Sequence, residues 1–533
     1  METEEKEIKN ETTPILEKRK DKIKNWLKNP YNLTLIIILI AAFAIRFYYF
    51  WLTQNQPLWW DEAEYMSAAK NYAGLVDYKL GGIRSPGFPL LMSAFFIIGL
   101  TSEPLIRFFG LFIPSIILIL LTYFMISEMY SDRKIALIST AIMIVLWENL
   151  FYSNRFHTEN FALIFEFLAI FIFFRSYFKK KNIWILKPKY SLFFVILFSL
   201  LSVFFRPGNL IFIPAIILFF LILNQSAILG RKYRIITLGI VIILIVSFFM
   251  IWPKISNHPI FQNYYQPQNP ICIHCLTVFN GFYESLVPWL PPILFYAFIL
   301  GLILFLLEFF ISYERIKKIN NTQEDLGFKS DIFNFLVILF VLSFFVFFMK
   351  PIGVYEFRWF FPLLPGMLVF TSKGAIVFSE YAGSFLNNKK ISIILIILIS
   401  ILGIYAQYYH ADSRIKNKIP SYQQVKGSGL WLKENSNSED IIISASQTQH
   451  TYYSERKIEN FHDNGIKGNE TLFNENLKKL KPKYIVISAF EPGFTPQWAY
   501  DWPQRHNDSV EPVKAYFFDE QQKQVALVIY RFK

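Results

Sequence analysis

The stretch PLWWDEAEYMSAAKNYAG, residues 57–74, carries three carboxylates within four positions: Asp61, Glu62 and Glu64. It follows directly on the apolar run 33–52, which has the length of a helix that crosses a bilayer. Two tryptophans stand immediately before the acids, and tryptophan favours the interface between membrane and water. The sequence therefore places a group of negative charges at the edge of a membrane.

The whole chain has the composition of a polytopic membrane protein. Of its 533 residues, 54% are hydrophobic and 58 are phenylalanine, and the apolar residues stand in long blocks that predict transmembrane helices. We predict eleven spans, at residues 33–52, 104–127, 135–152, 161–178, 191–205, 210–223, 235–252, 292–313, 332–348, 361–375 and 391–409. A further apolar segment, 86–100, is short for a crossing, so we place it in the interface as a membrane-parallel or re-entrant helix.

The positive charge of the chain predicts its orientation in the membrane. A net charge of +13 could suggest a nucleic-acid partner, but the Lys and Arg residues lie mostly between apolar blocks, as in cytoplasmic loops. We therefore exclude nucleic acid as a partner. With segment 86–100 in the interface, all six basic segments fall on the same side of the membrane, which predicts a cytoplasmic N-terminus and an external C-terminus. These segments are EKRKDKIKNWLK, SDRK, RSYFKKKNIWILKPK, RKYR, YERIKKINN and NNKK.

The predicted fold class is an all-α polytopic membrane domain, of about eleven transmembrane helices plus juxtamembrane helices, with a small external α/β domain at the C-terminus. Residues 1–32 form a basic cytoplasmic tail, residues 33–410 the membrane domain with an external loop at 53–102, and residues 411–533 the external domain. In the last region DIIISAS, KYIVISAF and QVALVIYRF predict strands, and SYQQVKGSGLWLKEN predicts an amphipathic helix.

Two interpretations account for the acids of residues 57–74. Asp61 could be the N-cap of a helix and Glu64 its reciprocal capping-box partner, but capping does not explain the preceding tryptophans. A second charged group occurs in the predicted external turn YSNRFHTEN, residues 152–160, where His157 and Glu159 lie at the mouth of a span. A polar cap on the following helix is the alternative there.

Several basic residues lie at predicted membrane edges on the external side. A charge near hydrocarbon is costly, so it usually has a partner or a function. Gathered at one membrane face, such residues could bind the phosphate of a lipid-linked sugar; snorkelling or ion pairing with the acids is the alternative. The candidates are Arg84, Arg206, Lys350 and Arg358.

The segment NPICIHCLTVFN, residues 269–280, contains Cys272 and Cys275 in C-x-x-C spacing. A structural zinc site requires about four ligands, usually two pairs, and this chain has a single cysteine pair. On an oxidising face we expect a local disulfide, with free thiols and a metal site as the alternatives.

PLWWDEAEY, the following RSPGFPLL and the turn SNRFHTEN together resemble type C glycosyltransferases, in particular protein O-mannosyltransferases and lipid A aminoarabinose transferases. In those families an Asp-Glu pair opens the first external loop, a proline-containing segment follows, and a second acid comes after an arginine in the next external turn. The resemblance implies transfer of a sugar from a polyprenyl- or dolichyl-phosphate carrier to a protein, lipid or glycan acceptor at the external face of the cell membrane.

The resemblance also implies roles for single residues. Asp61 matches the catalytic base, Glu62 the second acid of the pair, and Glu159 the second external acid, where the families often have Asp. The four basic residues would bind the donor phosphate, for which guanidinium groups are well shaped. Glu64 and His157 are candidates for binding the acceptor or a metal. A Mg²⁺, Mn²⁺ or Zn²⁺ ion is one alternative, and we expect none.

A transporter or flippase of a lipid-linked substrate is the rival function. It predicts charged residues in the middle of spans and two related halves. The densest ionisable groups of this chain lie instead at the external rim, with Glu148 and Glu166 as the main exceptions, and the halves are not alike. The sequence therefore favours the enzyme.

Overall fold

The computed structural model describes residues 24–82, 84–184, 186–223, 290–311, 326–348, 357–463, 468–519 and 521–533, without the side chains of 343–348 and 357. Seven helices in these ranges are long and apolar enough to cross a membrane, so the chain is a multi-pass membrane protein. They are Pro30–Thr53, Glu103–Tyr130, Glu159–Phe178, Pro188–Phe205, Pro292–Ile311, Arg358–Phe385 and Lys389–Lys418. The predicted span 235–252 lies outside the described residues.

The membrane domain consists of helices. The first eight are α1 (Pro30–Thr53), α2 (Trp60–Tyr72), α3 (Gly87–Ile97), α4 (Glu103–Tyr130, with a π-helical turn at Phe108–Phe112), α5 (Arg133–Val145), α6 (Trp147–Tyr152), α7 (Glu159–Phe178, π-helical from Phe173) and α8 (Ser191–Phe205). They are followed by α9 (Phe212–Leu223), α10 (Pro292–Ile311), α11 (Leu326–Phe348), α12 (Leu364–Phe385) and α13 (Lys389–Lys418). Short 3-10 turns occupy Pro188–Tyr190, Pro207–Ile211 and Phe357–Leu363.

Two predicted membrane segments take an irregular or short form. The predicted span 135–152 is interrupted at Leu146, whose ψ of 107° ends α5. There the backbone N–H of Trp147 donates instead to the side chain of Gln407 on α13, at 2.9 Å, which supplies a cause for the break. Segment 86–100 contains only the 11 residues of α3, a length of about 16 Å. That is too short to cross the hydrocarbon core, as predicted.

Close helix packing in the membrane domain depends on small residues. Helices α10 and α12 approach each other where Gly301 faces the carbonyl of Phe370 and Gly374 faces the carbonyl of Ala297. A methyl group at either glycine would overlap backbone atoms of the other helix. Glycine is the residue that lets membrane helices come this close.

The C-terminal domain is a five-stranded sheet flanked by helices. The strands β1 (Ile441–Ser444), β2 (Lys457–Glu459), β3 (Tyr484–Ser488), β4 (Val510–Phe517) and β5 (Val525–Phe532) lie in the order β2-β1-β3-β5-β4. The helices are α14 (Gln423–Asn435), α15 (Gln447–Ser454), α16 (Glu470–Leu480) and α17 (Trp502–Arg505), with a 3-10 turn at Gln497–Ala499. Strands β1 and β2 and strands β1 and β3 pair in parallel, and β5 pairs antiparallel with β3 and β4.

The α/β prediction for this domain is confirmed. The three predicted strands are β1, β3 and β5, and the predicted amphipathic helix is α14; β2 and β4 were not predicted. Helix α13 runs without a break across residues 410 and 411, so the predicted domain boundary lies inside a helix.

The C-terminal domain is held against α2, the helix that begins with the acidic stretch. The backbone N–H of Leu58 donates to the hydroxyl of Tyr453 at 2.8 Å. The ammonium group of Lys70 donates to the carbonyl of Tyr452 at 2.8 Å and to the carboxylate of Glu455 at 2.7 Å. These contacts hold α15 on α2, so the acidic stretch at the start of α2 lies next to the C-terminal domain.

Candidate active site

Glu62 ties the start of α2 to the turn between α6 and α7. Its fully buried carboxylate accepts hydrogen bonds from the backbone N–H groups of Trp59 and Phe156, both at 3.0 Å, and from the guanidinium of Arg155 at 2.8 Å. The interpretation that Asp61 and Glu64 cap this helix is therefore wrong, because Glu62 satisfies the N-terminal backbone group. The three hydrogen bonds of Glu62 hold the start of α2 against the turn between α6 and α7.

Asp61 and Glu64 share Arg84, which lies in the segment between α2 and α3. The guanidinium donates from Nη2 to Oδ1 of Asp61 at 2.5 Å and from Nε to Oε2 of Glu64 at 2.8 Å. The backbone N–H of Gly81 also donates to Glu64, at 3.3 Å. Because Asp61 and Glu64 lie one helical turn apart on the same side of α2, a single guanidinium can reach both.

Arg358 joins the acids of α2 to the residues at the start of α7. It lies in the 3-10 turn before α12, and its backbone N–H donates to Glu148 of α6 at 2.7 Å. From this position Nη2 lies 3.2 Å from Oδ2 of Asp61, while Nη1 lies 3.1 Å from Nδ1 of His157 and 3.6 Å from Oε1 of Glu159. Arg358 is thus the centre of the site.

Arg206 completes the group from the other side of Glu159. It stands where α8 ends in an extended residue, with a φ of −147°, and its Nη1 atom lies 3.9 Å from Oε1 of Glu159. That distance is an ion pair without a hydrogen bond. Within the described residues both Nη1 of Arg206 and Oε2 of Glu159 are buried without a hydrogen-bond partner.

These contacts form one row of alternating charges at one end of the membrane helices. The row runs, in order of contact, through Glu64, Arg84, Asp61, Arg358, Glu159 and Arg206. The sequence predicted that these residues lie near one membrane edge, and the structure brings all of them together, with His157 beside Arg358. Lys350, Cys272 and Cys275 lie outside the described residues.

Asp61 is the acid of this row that solvent can reach. Its side chain is 26% exposed, whereas those of Glu64 and Glu159 are 9% and 4% exposed. Burial by itself raises the pKa of the Asp61 carboxyl, but the charges of Arg84 and Arg358 outweigh it and lower the pKa below its ordinary value. Asp61 is therefore an ionised carboxylate with an accessible face.

His157 is a neutral acceptor in this arrangement. Burial lowers the pKa of its imidazole below the ordinary value, and Arg358 presents an obligate donor to Nδ1 at 3.1 Å. The remaining proton therefore sits on Nε2. The ring packs edge-on against Tyr65 and Tyr152, which fixes its orientation.

Asp61, His157 and Glu159 are an oxygen-rich set of side chains with a histidine, of the kind that could bind a metal ion, and they surround one guanidinium. Arg358 contacts all three, so a guanidinium occupies the space that a cation would need. Over the described ranges, with their gaps, no group of three or more His, Cys, Asp and Glu side chains is arranged to hold a metal ion.

Arg155 is a residue of this region to which we assigned no role from the sequence. Its guanidinium lies 3.6 Å from the ring centroid of Trp59 and 4.7 Å from that of Phe151, while it pairs with the carboxylate of Glu62. The tryptophan before the acids thus has a purpose besides anchoring at the interface. It covers the buried ion pair between Arg155, in the turn between α6 and α7, and Glu62 of α2.

The architecture is similar to that of solved membrane glycosyltransferases. The Archaeoglobus fulgidus oligosaccharyltransferase in complex with Zn and sulfate superposes with a TM-score of 0.55, over 92% of this chain and 73% of that chain, at 13% sequence identity. ArnT from Cupriavidus metallidurans bound to undecaprenyl phosphate superposes with a TM-score of 0.56, over 93% of this chain and 97% of that chain, at 8% identity. Its apo state gives the same values.

Both neighbours are type C glycosyltransferases, and this chain has their fold, as the sequence predicted. No protein-family model matches the sequence, and no curated protein matches it.

Proposed function

Because the chain has the type C glycosyltransferase fold, we propose that it is an integral membrane glycosyltransferase. It transfers a sugar from a polyprenyl- or dolichyl-phosphate carrier to a protein, lipid or glycan acceptor at the external face of the cell membrane. The observation that carries this proposal is the accessible carboxylate of Asp61 between the guanidinium groups of Arg84 and Arg358. A base and phosphate-binding groups in contact are what the reaction needs.

In the proposed reaction Asp61 is the general base. The acceptor hydroxyl or amine attacks the anomeric carbon of the donor sugar and gives its proton to the Asp61 carboxylate. A new bond forms between the acceptor and the anomeric carbon while the bond from that carbon to the phosphate oxygen breaks. The lipid phosphate leaves with the electron pair, and positive charge stabilises it.

Arg358 and Arg206 are the proposed phosphate-binding groups. Nη1 of Arg206 lacks a hydrogen-bond partner in the described part of the chain, so it can donate to a phosphate oxygen at no cost to an existing bond. Arg358 contacts Asp61 in this structure. When a phosphate binds to Arg358, the guanidinium interacts less with Asp61. The carboxylate of Asp61 then loses part of the stabilisation that lowers its pKa, and Asp61 becomes a stronger base.

The remaining predicted residues take supporting roles in this proposal. Arg84 holds Asp61 and Glu64 in place through two hydrogen bonds, and Glu159 sets the spacing of Arg206 and Arg358 through ion pairs. ArnT, which was solved with undecaprenyl phosphate bound, supports a polyprenyl-phosphate carrier. Positive charge on one side of the predicted spans supports a cytoplasmic N-terminus and an external C-terminal domain.

The test is sugar transfer from a panel of radiolabelled polyprenyl-phosphate sugars, in membranes that contain wild type, Asp61→Asn or Asp77→Asn. Asp77 is an exposed acid of the same loop and is the matched control. We expect transfer by wild type and Asp77→Asn, and a loss of about 10³-fold or more in Asp61→Asn, since removal of a general base typically costs 10²–10⁴-fold. Equal transfer by all three proteins would remove Asp61 as the base.

A further inference from the structure

Glu166 is a buried acid inside the membrane domain that the proposed reaction does not use. It lies on α7, two helical turns below Glu159, and its residue is 0% exposed. Its Oε2 atom accepts a hydrogen bond from Nδ2 of Asn209 at 2.9 Å, and its Oε1 atom is without a partner in the described part of the chain. Within those residues Glu166 makes no ion pair, although the charge of Arg206 acts on it.

Asn209 connects Glu166 to the active site through a tight turn. This turn, Pro207–Ile211, starts at Arg206, and the backbone N–H of Asn209 donates to the carbonyl of Arg206 at 3.0 Å. The side chain of Asn209 also donates a second hydrogen bond, from Nδ2 to the hydroxyl of Ser202 at 2.8 Å. Ser202 in turn donates its single proton to the carbonyl of Ala162 on α7, at 2.8 Å.

The donor directions in this network follow from the proton count. A serine hydroxyl has one proton, and Ser202 uses it on the Ala162 carbonyl, so Ser202 can only accept from Asn209. Asn209 therefore presents its amide nitrogen, and the oxygen of Glu166 that faces it accepts. What the network requires at position 166 is an acceptor oxygen, with no need for a negative charge.

We propose that Glu166 is a positioning residue for the donor-phosphate site, acting on Arg206 through Asn209. The hydrogen bonds fasten the turn at both α7 and α8, so the guanidinium of Arg206 stays beside Glu159, which is on the same helix as Glu166. This inference rests on the proposed function, because Arg206 is there a phosphate-binding group. In this proposal the carboxyl group acts in its neutral form, since a carboxylate buried in the membrane domain without an ion pair is strongly unfavourable.

The proposal is tested by the kinetics of sugar transfer in four variants, with wild-type transfer as the reference. Glu166→Gln keeps the acceptor oxygen and should stay within about threefold of wild type. Glu166→Leu and Asn209→Leu remove the two ends of one hydrogen bond, and each should raise the KM for the lipid-phosphate donor about tenfold with the acceptor KM unchanged. Ser199→Ala removes a buried hydroxyl of α8 that has no partner among the described residues, and is the matched control.

The double variant Glu166→Leu/Asn209→Leu separates positioning from general loss of structure. If both residues act through their shared hydrogen bond, the double variant should raise the donor KM no more than either single variant. An unchanged donor KM in Glu166→Leu, or multiplied effects in the double variant, would overturn the proposal. A large loss in Glu166→Gln would also overturn it, because it would assign a function to the charge, as a transporter requires.

Failure of the proposed function is a separate outcome. If wild type transfers no sugar from any donor, the enzyme proposal fails. The positioning role is then judged from binding of polyprenyl phosphate itself, where Glu166→Leu should weaken binding about tenfold and Glu166→Gln should bind like wild type. Equal binding by all three proteins would overturn it there too.

Discussion

Nη2 of Arg358 lies 3.2 Å from Oδ2 of Asp61, although the two residues are 297 positions apart in the chain. One stands at the start of a juxtamembrane helix and the other in the turn before a late membrane helix. Their contact holds the carboxylate ionised and keeps a cation at the place where we propose that the donor phosphate binds. The same guanidinium therefore stabilises the carboxylate and, in our proposal, binds the donor phosphate. Donor binding is thereby linked to the strength of Asp61 as a base.

Replacing Arg358 should therefore change both binding and pH dependence. In Arg358→Ala we expect the donor KM to rise about tenfold or more, since a hydrogen bond to a charged group contributes about 1.5–3 kcal/mol. The pKa of Asp61, which Arg358 helps to lower, should rise. Because the base must be ionised, activity is lost as the pH falls through this pKa, so the acid limb of the kcat/KM profile should move to higher pH.

The control for Arg358 is Arg531→Ala, which removes an exposed guanidinium paired with Glu511 on the C-terminal sheet. It should keep the wild-type profile. An Arg358→Ala enzyme whose acid limb stays in place would show that Asp61 is not the group whose ionisation the profile reports.

Glu62→Gln should destabilise the fold more than it should alter chemistry at the base. The variant leaves the guanidinium of Arg155 buried without its carboxylate, and breaking such a buried pair costs roughly 3–5 kcal/mol. Chemical unfolding in detergent, followed by tryptophan fluorescence, measures this loss. Glu511→Gln breaks an exposed pair, with side chains 39% and 54% exposed, and should leave stability unchanged within error. Equal effects of the two substitutions would contradict the role of Glu62.

Tyr453→Phe should loosen the C-terminal domain from α2. The buried N–H of Leu58 then has no acceptor, a loss of about 1–3 kcal/mol. Limited proteolysis at residues 419–422, between α13 and α14, should become faster. In Tyr484→Phe the lost hydrogen bond, to the carbonyl of Asn435 at 2.9 Å, lies within the C-terminal domain. That variant should be cleaved there at the wild-type rate, and accelerated cleavage in both would point to unfolding of the domain itself.

His450 should make the C-terminal domain sensitive to acid. Its ring is buried between the hydroxyls of Ser428 and Ser444, each 2.7 Å from a ring nitrogen, and burial lowers its pKa from 6.5 to about 3. The unfolded chain then binds the extra proton below pH 6.5, so stability rises with pH across this window. The contribution of His450 should fall by about 1.4 kcal/mol per pH unit.

The variant His450→Asn tests the acid sensitivity. The quantity to compare is the change in the free energy of unfolding with pH, because the substitution also changes the absolute stability. Between pH 6.5 and pH 5 the wild-type free energy of unfolding should decrease by about 2 kcal/mol more than that of the variant. Parallel curves would show that the ring of His450 is already protonated in the folded domain, or titrates as it does in the unfolded chain.

Chelation should leave sugar transfer intact, because a guanidinium occupies the space between Asp61 and Glu159. Transfer measured after treatment with EDTA should equal the untreated rate. Complete loss of activity, restored by Mg²⁺, Mn²⁺ or Zn²⁺, would contradict this and would require ligands from outside the described residues.

Local composition was sufficient to predict seven of the eleven proposed spans as long apolar helices in the described residues, and to place the charged groups near the ends of spans. A long apolar segment crosses a bilayer as a helix because its side chains avoid water and the helix satisfies its own backbone hydrogen bonds. This preference depends on each segment by itself. The strand-like apolar runs of β1, β3 and β5 were recognisable for the same reason, whereas β2, with three residues, is too short to give a recognisable run. Placing Asp61, Arg84, Arg206 and Arg358 at one membrane edge required only the ends of predicted spans.

Only the tertiary structure determined which charged side chains contact each other. Asp61 and Glu62 are adjacent acids, yet one is 26% exposed and the other is fully buried against Arg155. A one-residue step on a helix turns the side chain by about 100°, and which direction faces the protein depends on the turn that α6 and α7 place there. The partner of Glu166, Asn209, likewise comes from the turn between α8 and α9, because a buried polar group needs a hydrogen-bond partner from whichever segment packs beside it.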